Sequence, residues 1–217
     1  MRSRAASTTV LDCACGIGTQ ALGLAKLGFA VTACDVSERA VKRARAEAFL
    51  RGLHIPLVVA DMRKLDIIPA NSFHAVICMD NALPHLDSEG ELSQAVGQIR
   101  AKLLPGGTFI ASIRDYDDIV QQRPVVQGPG FMSDGGKRRI VFQVWDWHDA
   151  RRYTFHMYIT RETSDGWKDF HGASVYRAIL RHELTDILHR QGFTMIRWQF
   201  PNESGFYQPI VIATADA

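Results

Sequence analysis

Residues 10–18, Val-Leu-Asp-Cys-Ala-Cys-Gly-Ile-Gly, place a carboxylate at the end of an apolar run and directly before a glycine turn. Gly16 and Gly18 let backbone approach a ligand closely, because neither carries a Cβ. The helix expected from Thr19 points its first free amide N–H groups at the same spot. Acidic residues also end the later apolar runs. Asp35 closes Phe29–Asp35, Asp61 follows Val58-Val59-Ala60, and Asp80 follows Val76-Ile77-Cys78-Met79. Carboxylates attract cations and accept hydrogen bonds from hydroxyl and amino groups.

Two ligand classes suit a glycine turn of this kind: dinucleotides and S-adenosylmethionine. Gly16-Ile-Gly18-Thr-Gln-Ala21 fits the G-x-G-x-x-A dinucleotide pattern, with Asp35 downstream. Asp12 argues against a pyrophosphate, because a carboxylate beside that anion is repulsive. The same carboxylate suits a sulfonium and an α-ammonium, so Asp12 is expected to bind the cofactor. Asp61 can accept from an adenine amino group, and Met62 can cover the ring. Asp80, in Asp80-Asn81, is a candidate proton acceptor for a methyl-accepting amine.

The elements that must position these residues alternate. Strands are expected at Val10–Cys13, Phe29–Asp35, Ile55–Ala60, Phe73–Met79 and Thr108–Ile113. Helices are expected at Thr19–Leu27, from the Ser37 cap to about Arg51, and at about Glu89–Leu103, where Leu92, Ala95, Val96, Ile99 and Leu103 recur at helical spacing. Repeated strand-helix units predict a parallel sheet covered by helices. Residues 116–138 are rich in Pro, Gly and Gln and read as a loop. Three runs with partial polar and apolar alternation follow, Arg139–Trp147, Tyr153–Thr163 and Trp167–Ala178, joined by short turn-like links. A helix over about Arg181–Gln191 and strands at Thr194–Phe200 and Tyr207–Ala213 complete the chain. The fold class expected is α/β: a Rossmann-like, doubly wound, mostly parallel seven-stranded sheet. An antiparallel three-stranded insert lies between strand five and the last helix. Residues 1–115 and 179–217 form the expected core, and 116–178 a loop plus cap that excludes water from the site.

Bulk properties narrow the partners. The 217-residue chain is 47% hydrophobic and has a formal charge of +2, which gives no nucleic-acid footprint. Lys42-Arg43-Ala44-Arg45 reads as a solvated helix face. Lys137-Arg138-Arg139 starts a strand and is open to contact with an anionic ligand. Cys13, Cys15, Cys34 and Cys78 lie in or beside apolar runs without metal-ligand spacing, so a reduced, cytoplasmic chain is expected and no metal is assigned. The insert histidines His148, His156 and His171 likewise show no ligand spacing, and the aromatics around Trp145 and Tyr153 read as packing. No run is long enough for a membrane span.

The constellation resembles the class I S-adenosylmethionine-dependent methyltransferases, and within them the glycine and sarcosine N-methyltransferase branch. The similarity rests on Ala14 in place of the first glycine, on Val76-Ile77-Cys78-Met79-Asp80-Asn81-Ala82-Leu83-Pro84-His85-Leu86, and on Ile113-Arg114-Asp115-Tyr116-Asp117. The resemblance implies that Ala14, Cys15, Gly16 and Gly18 cradle the methionine moiety. It implies that Asp35, beside Val36, accepts the ribose hydroxyls, and that Asp61 and Met62 hold adenine. Met79 and His85 would contact the cofactor, while Asn81, Arg114 and Tyr116 would face the methyl acceptor. Arg114 matches a carboxylate bidentately, so the expected partner is a small-molecule acceptor such as a carboxylate-bearing amine. Asp80 stands where glycine enzymes carry a small residue, so the expected acceptor differs from glycine. Asp80-Asn81-Ala82-Leu83 lacks the Pro-Pro-aromatic run of amino-methylating DNA enzymes, and no nucleic acid or membrane partner is expected. Relatives carry helices before strand one where this sequence has only Met1–Thr9, so either a truncated or misassigned start or a more open site is expected. A methyltransferase-like binding protein without turnover and an NAD(P)-dependent oxidoreductase are the competing readings.

Overall fold

The computed structural model describes residues 8–134 and 136–216, with the Asp134 side chain excluded. The expectation about the segment before Thr8 falls outside the described residues. The chain divides into two compact units. One comprises the residues up to Leu83, Ser88–Arg114 and Arg181 onward; the other comprises Pro84–Asp87 and Asp115–Leu180.

The first unit is built on a seven-stranded sheet. Its strands are β1 (Thr9–Asp12), β2 (Ala30–Asp35), β3 (Leu57–Val59), β4 (Phe73–Cys78), β5 (Leu103–Ser112), β10 (Phe193–Gln199) and β11 (Ile210–Ala215). The spatial order is β10-β11-β5-β4-β1-β2-β3, and only β11 runs against its neighbours. Leu11, Val76, Phe109 and Val211 are fully buried, as strands covered on both faces require. Helices α1 (Thr19–Lys26) and α2 (Glu38–Leu50) follow β1 and β2 and bury Ala21, Leu22, Val41 and Ala44 in one cluster with Val10 and Val31. The chain then crosses to β4 on the other side of β1. Right-handed crossovers therefore place α3 (Glu89–Lys102) on the opposite face from α1 and α2. The order reverses between β1 and β4, which opens a crevice at their carboxyl ends.

Ser37 caps α2 by accepting from the Ala40 amide at 3.2 Å. Helix α5 (Arg181–Arg190) buries Leu184, Ile187 and Leu188. A one-turn helix, α6 (Pro201–Ser204), occupies the link between β10 and β11. The last strand therefore begins at Ile210, and Tyr207 stands outside it.

The second unit corrects the three-stranded insert. It holds a four-stranded antiparallel sheet, β6 (Val126–Asp134), β7 (Lys137–Trp147), β8 (Arg152–Thr163) and β9 (Gly166–Arg177), in sequential order. The extra strand lies within the segment read as a loop. Its Gly128-Pro129-Gly130 run falls at a register shift between Gln127 and Gly130, on an edge strand where proline costs no ladder bond to a second neighbour. The same segment also begins with α4 (Tyr116–Gln122), too short for helical periodicity to mark it. Trp145 and Tyr153 stack at 4.5 Å in this unit's core, with Phe155 edge-on to Trp145. No described helix is long and apolar enough to cross a membrane.

Candidate active site

The site assembles at the carboxyl edge of the first unit's sheet, where β1 and β4 diverge. Asp12 ends β1 and is 1% exposed. One carboxylate oxygen faces the Ala14 amide at a long 3.4 Å, and the other, Oδ2, has no hydrogen-bond partner among the described residues. Burial, with repulsion from Asp35 and Asp80, pushes its pKa up to about 7 against the pull of the Ala14 and Ala21 amides. A buried carboxylate with an unused oxygen is costly unless a donor or cation completes it.

The glycine turn follows. Gly16 and Gly18 have φ of +53° and +94°, a region that L side chains rarely adopt. A Cβ on Gly16 would stand in open space. One on Gly18 would meet Leu22 Cδ1 at 3.2 Å and Ala44 Cβ at 3.3 Å, so an added methyl would press on side chains of both α1 and α2. The Gly16 amide donates to Asp35 Oδ2 at 2.8 Å, and the Ser37 amide donates to Asp35 Oδ1 at 2.9 Å. Asp35 thus clamps the turn to the end of β2. The amide that a pyrophosphate would use is already given to a carboxylate. Val36, next along, is exposed. Cys15 is buried, and its pKa is raised to about 12 by burial and then by Asp12. A hydrogen bond with Cys78, and then burial, raise the Cys13 pKa. The four thiols are buried and free.

Asp61 follows β3, with Met62 half-buried beside it. Its carboxylate is gripped by Arg63, whose Nε lies 3.0 Å from both oxygens. Arg63 also pairs with Glu91. The guanidinium holds the Asp61 pKa below the usual carboxylate range. The sequence reading offered this carboxylate to a ligand and did not foresee its intramolecular partner.

At the end of β4, Met79 is half-buried and Asp80 and Asn81 turn through the left-handed region, with φ of +57° and +65°. Asp80 Oδ2 accepts from Gln20 Nε2 at 2.7 Å, and Oδ1 accepts from the Tyr207 hydroxyl at 2.9 Å. The Asp80 amide donates to Ser112 Oγ at 2.8 Å, and that hydroxyl donates to buried Gln208 at 2.9 Å. Asn81 is buried and accepts from the Arg114 amide at 3.0 Å. Asp80 is therefore the hub of a network reaching α1, β5 and the segment before β11. Gln20, Ser112, Tyr207 and Gln208 were missed in the sequence. Only the position of Ser112 at a strand end could have signalled one of them.

His85 and Tyr116 belong to the second unit. His85 lies 3.3 Å from Ser174 Oγ with its ring over Tyr176. Tyr116 is fully buried and shares a 2.8 Å hydrogen bond with the Tyr153 hydroxyl. Among the described residues, no cluster of His, Cys, Asp or Glu could hold a metal ion.

Residues 10–107 match the model of a methyltransferase domain family. Over 122 residues the chain is 34% identical to glycine N-methyltransferase of Rattus norvegicus, an alignment covering 51% of this chain and 42% of that protein. Over 106 residues it is 36% identical to a ubiquinone biosynthesis O-methyltransferase of Caulobacter vibrioides, covering 48% of this chain and 40% of that one. The matched part spans less than half the length of these curated relatives. The fold is similar to that of an amino pentose methyltransferase from Micromonospora echinaspora solved with S-adenosylmethionine bound. That likeness has a TM-score of 0.75 and 21% identity, over 98% of this chain and 86% of that one.

Proposed function

We propose that the chain carries a methyltransferase domain of the class I S-adenosylmethionine-dependent superfamily, supported by the family match over residues 10–107 and the similarity to glycine N-methyltransferase, and that it methylates the nitrogen of a small amine or amino acid. The observation that carries this reading is Asp12, a buried carboxylate with an unsatisfied oxygen beside two further acidic strand ends. S-adenosylmethionine, when bound, supplies a methyl group on a sulfonium, together with a good leaving group.

The residues fit that cofactor. Asp12 accepts the α-ammonium, which completes its orphaned oxygen. Gly16 and Gly18, with Ala14 and Cys15, leave room for the methionine moiety. Each Asp35 oxygen carries one amide bond and retains a lone pair for a ribose hydroxyl. Val36 and Met62 offer apolar surface to adenine. Met79 borders the same edge. Asp61 contributes through Arg63 and Glu91, by fixing the loop after β3, and has little capacity left for adenine. At the acceptor side, Asp80 takes the amine proton, while Asn81 and Arg114 orient the acceptor. Alignment is the main contribution of these groups. Tyr116, tied to Tyr153, is given a structural role within its own unit. An NAD(P) reading is disfavoured, because the Gly16 amide is spent on Asp35.

Thermal shift with S-adenosylmethionine, S-adenosylhomocysteine and NADH in parallel tests the cofactor. The first two are expected to raise the melting point. Stabilisation by NADH alone would overturn the proposal. A panel of amines and amino acids, assayed for S-adenosylhomocysteine release, then tests the acceptor class; turnover only with phenols or carboxylates would replace nitrogen by oxygen.

A further inference from the structure

At the outer end of the four-stranded sheet, two neighbouring rows of cross-strand partners have opposite character. On one face Arg138 Nη2 donates to Glu162 Oε1 at 2.8 Å, and its guanidinium lies over Trp167, the β9 partner of Glu162, at 5.4 Å. That row is neutralised. One residue along, side chains point to the other face. There Arg139 faces Arg161, and Arg161 faces Lys168. Three exposed cations stand in line across three strands, a span of roughly 10 Å at the usual strand spacing.

Like charges directly opposed in a ladder are destabilising, so this row does not serve stability. Arg139 and Arg161 form no ion pair with a carboxylate among the described residues. Lys168 has only a loose approach to Asp165, at 3.6 Å. The Arg161 guanidinium rests over the Phe170 ring at 5.0 Å. Phe170 lies two rows inward, on the same face, and is 47% exposed. Met132, the β6 partner of Arg139, is 48% exposed. The face therefore offers a line of unmatched positive charge next to open apolar surface.

We propose that this face docks an acidic polypeptide segment, whose carboxylates pair with Arg139, Arg161 and Lys168 while an apolar side chain rests against Phe170 and Met132. The charge pattern favours a polypeptide over other anions. Asp169, on the reverse face, opposes an anionic lipid surface closing around the tip. A short line of three cations is a small footprint for nucleic acid on a chain of net charge +2. This inference does not depend on the methyl-transfer reading.

The test uses the full chain and a fluorescein-labelled Glu-rich peptide with one central Leu, followed by fluorescence anisotropy. Binding is expected, weakening about tenfold or more as salt rises to and beyond physiological strength. The double variant R139Q/R161Q is expected to lose about tenfold or more in affinity. The Lys-for-Glu peptide and phosphatidylserine vesicles are expected not to bind. Arg161→Glu, which sets an anion between two cations, is expected to raise the melting point. Failure to bind the Glu-rich peptide, or equal binding by R139Q/R161Q, would overturn the proposal. So would vesicle binding lost in the same variant, which would make the ligand a membrane. A lower melting point for Arg161→Glu would remove the premise that the row is strained.

Discussion

The Tyr207 hydroxyl donates to Asp80 Oδ1 at 2.9 Å, joining the link before β11 to the corner after β4. Gln20 holds the other oxygen from the first turn of α1. A charge-assisted bond of this kind is worth about 1.5–3 kcal/mol when buried, and less at an exposed site such as this. Tyr207→Phe is therefore expected to lower kcat/KM roughly three- to tenfold. The affinity for S-adenosylhomocysteine should stay within about twofold, because Asp80 faces the acceptor side in the proposed site. Steady-state kinetics and calorimetric titration together check this.

Asp12 carries a linkage prediction. Its folded pKa, about 7, lies above the ordinary carboxylate value of 3.8. The folded state therefore holds a proton that the unfolded state has released between these values. Stability falls as pH rises through this window, and the full cost is present above pH 7. At about 1.4 kcal/mol per unit, the upper bound is roughly 4 kcal/mol. Asp12→Asn is expected to raise the ligand-free melting point at pH 8 and to abolish the response to S-adenosylhomocysteine.

The same group predicts a proton count. A cation placed beside Asp12 lowers its pKa, so binding an ammonium-bearing ligand near pH 6 should release up to about one proton. Above pH 8 none should be released. Titration calorimetry in buffers of different ionisation enthalpy reads this directly; no pH dependence of the proton count would count against Asp12 as the ammonium partner.

Gly16 and Gly18 should separate space from strain. Gly18→Ala adds a contact at 3.2 Å with Leu22 to a positive φ, and is expected to cost about 2–4 kcal/mol. Gly16→Ala meets nothing within 4 Å and should cost about 1 kcal/mol, from the backbone alone. Chemical denaturation gives both values. Gly16→Ala should nevertheless weaken S-adenosylhomocysteine binding, since its methyl group enters the space left for the ligand.

The buried thiols give a chemical check on the fold. Cys13, Cys15, Cys34 and Cys78 are buried, and burial raises the pKa of Cys13, Cys15 and Cys34. Native protein is expected to react slowly with a thiol reagent at pH 8, and all four cysteines should react at once in denaturant.

Much of the first unit was legible because its signals are local. Apolar runs ending in Asp12, Asp35 and Met79-Asp80 mark parallel strands, and Gly16, Gly18 and Ser37 mark the turns and cap that follow. The second unit was less legible. The Gly-Pro-Gly run in β6 carries loop composition, yet pairing with β7 makes it a strand. That pairing is a long-range event which local propensity does not encode. Helix α4 was hidden by its length, and the segment around Tyr207 by the one-turn helix α6.

The sequence by itself determined which residue types stand at the strand ends, and hence that the site is acidic and glycine-lined. Only the tertiary structure decided what each carboxylate does. Asp12 and Asp61 look alike in sequence, but burial leaves one with an orphaned oxygen while Arg63 satisfies the other. Asp80 acquires its partners from residues 60 and 127 positions away. Hydrogen bonding and desolvation depend on what the fold brings within a few ångströms, and that distance is not written in the order of the residues.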